Sequence, residues 1–205
     1  MVASPSDQEP LDIALEKERL QRALHGLEEQ GLVILDWLEG QSWRDLQQAL
    51  FQNQYHVFHF IGHGYYDPTR EEGAVIFVSR AGRSRYFSAT DLARLLADQT
   101  TLRLVVLNSC ESAKAGEYDV FSSTAATLVR GGIPAVIAMQ YDITDNAAIQ
   151  MAETFYQALA GGLPVDAALS EARKSITFAV HNSLEWGTPV LFMRANDGQL
   201  FDIDE

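Results

Sequence analysis

Two apolar runs that stop abruptly at chemically loaded residues constrain this chain more than any other feature. Leu104 to Leu107 (LVVL) leads straight into Asn108-Ser109-Cys110, and Tyr55 to Ile61 (YHVFHFI) leads into Gly62-His63-Gly64. A short apolar run bounded by turn formers reads as a strand buried on both faces. Such a strand delivers the residue after it to the carboxyl edge of the sheet, where open α/β sheets keep their sites. Cys110 is the only cysteine, and His63 precedes it by 47 positions. That separation suits two neighbouring strands joined by a crossover.

The rest of the chain supplies the crossovers. Leucines 11, 15, 20, 24 and 27 fall near helical spacing within 8–30, a helix that Gly31 ends. Leu32 to Leu38 (LVILDWL) reads as a strand, and Ser42 caps a helix over 43–52. A looser stretch, 65–72, follows His63. The runs 74–78 and 84–87 around Ala81-Gly82 then read as a small β-hairpin.

A helix from Ser88 or Thr90 to Asp98 leads to the Cys110 strand and a polar loop over 112–118. Beyond it come a helix over 119–130, a strand over 134–139, helices over 145–159 and 165–180, a strand over 189–193 and an edge strand over 199–203. The apolar Met1 to Ala3, followed by Ser4-Pro5-Ser6-Asp7, reads as the end of a first strand whose beginning is truncated. Strands alternating with helices imply an α/β fold in one domain over 1–205, a mainly parallel sheet flanked by helices on both faces.

Charge narrows the partners. A formal net charge of −13 opposes binding to nucleic acid or to an anionic membrane surface and favours a basic peptide or protein. One cysteine allows no internal disulfide, the first residues form no signal peptide, and no run reaches about 18 apolar residues. A cytoplasmic location is expected. No cofactor is expected either, because there is no P-loop and one cysteine does not group the ligands of a zinc site.

Cys110 is the candidate nucleophile, although a lone cysteine is ordinarily a small core hydrophobe. Its thiolate needs a base within hydrogen-bond reach. His63 is the best placed of five histidines; His56 and His59 lie inside a strand, and His25 and His181 read as structural. The N–H groups of Gly64 and Cys110 are the candidate oxyanion donors. No third residue orienting His63 can be named, so the expectation is a dyad.

HFIGHG at 59–64, LNSCES at 107–112, IPAVIAMQYDITDNAA at 133–148 and EWGTPVLFMR at 185–194 resemble the CHAT domain, a caspase- and separase-like branch of the cysteine peptidases. In caspases the histidine also lies about 50 residues before the cysteine. The resemblance implies a caspase-like fold and a cysteine endopeptidase, with His63 and Cys110 as the catalytic pair and Gly64 as the oxyanion glycine. Tyr141 to Asp145 resembles the separase segment that faces an arginine of the substrate. Asp142 and Asp145 thus become candidates for binding Arg or Lys, and the same carboxylates, or Thr144, equally suit the cap of the following helix.

Two departures from the family stand out. Glu111 takes the place of an arginine in caspases and opposes thiolate formation unless it points away or meets a substrate cation. The helical repeats that usually accompany CHAT domains are missing, which points to activation by another protein or additional domains. The alternative to a peptidase is a catalytically silent or partner-activated CHAT interaction module that holds a peptide in the same groove. Lys114, a candidate self-cleavage point, reads more simply as a solubilising surface residue.

Overall fold

A computed structural model describes residues 1–109, 120–141 and 143–202, apart from the side chains of Ser109, Val120 and Asp145. Cys110, the loop expected over 112–118 and Asp142 lie outside the described residues.

Six strands form one sheet: β1 (Val57–Asp67), β2 (Glu72–Val78), β3 (Ser84–Ser88), β4 (Leu104–Ser109), β5 (Ala135–Met139) and β6 (Pro189–Met193). Their spatial order is β3-β2-β1-β4-β5-β6. The β1–β4 and β4–β5 ladders are parallel; the hairpin strands and edge strand β6 pair antiparallel. These pairings run β3, β1, β4 and β5 in one direction, the mostly parallel α/β sheet that the alternating runs imply.

Six helices cover the two faces: α1 (Ile13–Glu29), α2 (Trp43–Gln52), α3 (Ala89–Leu96), α4 (Val120–Arg130), α5 (Asp145–Ala160) and α6 (Val165–Ala179). Leu104–Leu107 of β4 and the whole of β5 are apolar, yet alternation still sorts their side chains. Leu104, Val106, Ala135 and Ile137 pack with α1, α5 and α6, whereas Val105, Leu107, Val136 and Ala138 pack with α2, α3 and α4. Local signals agree with this packing. Ser42 and Asp45 form a capping box on α2, Ser88 caps α3, and Gly31 takes a left-handed φ of 71° just past α1.

Three expectations need correction. Leu32 to Leu38 forms no strand. Val33, Leu35 and Trp37 do pack inward while Ile34 stays 93% exposed, so the alternation is real. The free side of β1 is taken, however: Met1–Ala3 hydrogen-bonds beside Ile61, with Val2 in a parallel bridge, and β2 pairs further along. Residues 199–202 are likewise irregular, although Leu200 is buried.

The third correction matters most. Instead of stopping at Ile61, β1 runs through His63 to Asp67, and the stretch after His63 pairs with β2. Gly62 makes this passage feasible, since a Cβ there would stand 2.6 Å from the Phe60 ring and 3.2 Å from the Ala3 carbonyl oxygen.

Candidate active site

His63 sits where β1 changes partners. The last parallel pair with β4 is Gly62 with Ser109, and the first antiparallel pair with β2 is His63 with Ile76. Beyond Gly62, β1 continues through His63 paired with β2. The register sets Gly62 beside Ser109, and the residues next in sequence to that pair are His63 and Cys110. One step earlier, Ile61 and Asn108 are paired and line the same cleft.

The imidazole of His63 is only 3% exposed. Its Nε2–H donates to the backbone carbonyl oxygen of Glu9 at 3.0 Å. A carbonyl only accepts, so this bond puts the proton on Nε2 and leaves the Nδ1 lone pair available as a base. Burial pushes the His63 pKa below its ordinary value, and the Glu9 bond and charge offset part of that. The ring is thereby held neutral and oriented, as a general base must be before it takes a proton.

Glu9 is the orienting partner that the sequence left unnamed. A backbone carbonyl carries no residue-type signature, so nothing in the sequence could have found it. The other histidines lie elsewhere: His25 is exposed near Glu29, His56 and His181 are exposed, and the His59 Nδ1 shares a 2.9 Å hydrogen bond with the Tyr156 hydroxyl.

Below the Ile61–Asn108 pair lies a cleft of about 30 Å³, walled by those two residues with Glu16, Arg19, His59 and Ile143. Two buried atoms there, His59 Nε2 and Asn108 Oδ1, have no hydrogen-bond partner among the described residues. A space of that size and polarity suits a single bridging water.

Gly64, the expected oxyanion glycine, is half-buried on β1 opposite Val75. Asp145 is the first residue of α5, and the N-cap position belongs to Thr144, whose side chain makes no capping bond. Glu185 instead holds the backbone N–H of Thr144 from a distance. Its Oε2 accepts from the Thr144 N–H at 2.6 Å and its Oε1 accepts from the Ser183 hydroxyl at 2.8 Å. Burial raises the Glu185 pKa, but the bonds from Thr144 and Ser183 outweigh it and hold the carboxyl below its ordinary value. The EWGTP segment is thus clipped to the loop that carries Tyr141 to Asp145, a link that no local pattern reveals.

A mostly parallel six-stranded sheet between two helical layers, with a histidine where β1 passes from β4 to β2, defines an α/β domain consistent with a caspase-like fold. The family model for the CHAT domain matches residues 1–192, and the chain belongs to that family. The family is related to the caspase-like cysteine peptidases. No curated protein matches the chain. Among the described residues, no helix is long and apolar enough to cross a membrane.

Proposed function

We propose that the chain is a cysteine endopeptidase in which Cys110 is the nucleophile and His63 the general acid and base. The observation that carries this reading is the Gly62–Ser109 register, because it brings the residues before His63 and Cys110 side by side. His63 Nδ1 takes the thiol proton as sulfur attacks the scissile carbonyl carbon. The N–H groups of Gly64 and Cys110 are the donors proposed for the resulting oxyanion. As the C–N bond breaks, Nδ1–H protonates the leaving amine. Water then hydrolyses the thioester, with Nδ1 taking its proton. Throughout, the Glu9 carbonyl keeps Nε2–H occupied, so the orienting group is backbone.

The proposed substrate is a peptide or protein cleaved after Arg or Lys, with Asp142 and Asp145 forming the charge-assisted partners of that side chain. The net charge of −13 is in keeping with a basic substrate. A peptide library carrying Arg or Lys before the scissile bond tests both parts. Cys110→Ala abolishes turnover, and equal turnover by the variant removes the enzyme reading. Asp142→Asn and Asp145→Asn each lower cleavage after basic residues far more than after uncharged ones; unchanged preference rejects the pocket.

The burial of His63 favours a second reading, a peptidase or binding module that works only once a partner engages it, because a sealed imidazole resists the charged form that a thiolate–imidazolium pair needs. This reading predicts an isolated chain that is inactive on the library and becomes active when its partner is added.

A further inference from the structure

The Glu9 carbonyl decides which nitrogen of His63 carries the proton, so whatever holds that carbonyl governs the site. Glu9 lies in irregular chain ahead of α1. Two ties bracket it. On one side, Leu11 N–H donates to Ser4 Oγ at 3.0 Å, and Ser4 N–H donates to Gln41 Oε1 at 2.8 Å. On the other, Asp7 reaches Ser84, the first residue of β3, 77 positions away in sequence. Its Oδ1 accepts from the Ser84 N–H at 2.6 Å and from the Ser84 hydroxyl at 2.8 Å.

Further contacts make this a clasp. Gln8 Nε2 donates to Ser84 Oγ at 3.0 Å, Ser6 N–H donates to the Gly82 carbonyl oxygen at 2.9 Å, and Arg83 Nε lies 3.6 Å from Asp7 Oδ2. The Ser84 hydroxyl is the main reason that the Asp7 carboxyl stays below its ordinary pKa. Several long-range bonds thus converge on three residues, Ser6 to Gln8, immediately before Glu9. An exposed surface loop gains little from so many bonds unless its backbone must be held in one place.

We propose that Asp7 is a positioning residue for the Cys110–His63 reaction, fixing through Ser84 the turn that offers the Glu9 carbonyl to His63 Nε2 and so selecting Nδ1 as the base. Its catalytic consequence rests on the peptidase reading; its geometry does not. The charged groups around the clasp are Arg83 and Glu9, and the conservative variant below separates their electrostatics from hydrogen bonding.

The test is ¹⁵N NMR of the histidine rings in the full chain, with the His63 signal assigned by its loss in His63→Ala. The wild-type ring is the Nε2–H tautomer above neutral pH. Asp7→Ala gives a mixed tautomer and about tenfold faster exchange of the Nε2 proton, roughly the weight of one hydrogen bond. Asp7→Asn keeps an acceptor oxygen for Ser84 and stays within about twofold of wild type. A wild-type tautomer and exchange rate in Asp7→Ala overturns the proposal, as does an Asn variant as disturbed as the Ala one. Should Asp7→Ala fail to fold, Ser84→Ala decides, because it removes the hydroxyl and keeps the N–H bond; a smaller shift in the same direction supports the clasp, and no shift refutes it. Cleavage is not the readout, so an inactive chain leaves the clasp standing and an unmoved tautomer leaves the peptidase reading standing.

Discussion

His59 and His63 stand four residues apart on one strand, and strand alternation gives them the same face of the sheet, yet their surroundings assign them opposite tasks. His59 is on the part of β1 that pairs with β4, against Tyr156 of α5, and burial drives its pKa down to about 3. It stays neutral at any ordinary pH and has nothing to exchange. His63 is also covered, but it lies where β1 passes from its pairing with β4 to its pairing with β2, and it holds one fixed acceptor on a loop. In this strand burial alone makes a structural histidine. Burial where the strand changes partners, with one nitrogen committed, makes a candidate base.

The contrast predicts that damage to the middle of the sheet breaks the fold while damage at its edge breaks chemistry. The largest effect is expected from Phe60→Ala. Phe60 is fully buried between Phe58 and Phe77, and its loss costs about 3–5 kcal/mol in urea unfolding.

Next is the pH dependence from His59. Its folded pKa lies below the unfolded value, so the unfolded chain takes up a proton that the folded one refuses. Stability attributable to this residue is intact above about pH 6.5 and declines as pH falls towards about 3, a loss on the order of several kcal/mol. Carboxylates held below their ordinary pKa act in the same direction, so the difference between wild type and His59→Gln isolates the effect. The variant should show the flatter profile.

Gly62→Ala is expected to cost about 1–3 kcal/mol, because the new methyl meets Phe60 and the Ala3 carbonyl. Smallest in stability is His63→Ala, about 1–2 kcal/mol from one lost hydrogen bond and a small cavity, while turnover of a peptide substrate is lost. If His63→Ala unfolds the chain as severely as Phe60→Ala, the two histidines do not differ as described.

Much of this arrangement was legible in the residues. The β4, β5 and β6 runs, the hairpin, the Ser42 cap and the stripe of Phe121, Ala125, Leu128 and Val129 on α4 all carry local signatures, and packing agrees with them, Val129 being only partly buried. Leu32–Leu38 misled because alternation reports which side chains turn inward, whereas a strand also needs a neighbour with free backbone groups. At the site, the sequence could single out His63 and Cys110 as candidates because residue type carries the chemistry, and Cys110 lies outside the described residues. The Glu9 carbonyl, the Asp7–Ser84 clasp and the Glu185 clip were not readable, since each joins segments distant in sequence and each engages a backbone group.

The central claim is that His63 serves the sulfur of Cys110. Because the chain has a single cysteine, the rate of its alkylation by iodoacetamide can be followed against pH without ambiguity, in wild type and in His63→Ala. The account predicts that near neutral pH the wild-type thiol is alkylated faster than the variant's, because the neutral Nδ1 takes its proton, and that the two profiles converge above the ordinary cysteine pKa of about 8.5. Superimposable profiles would contradict it.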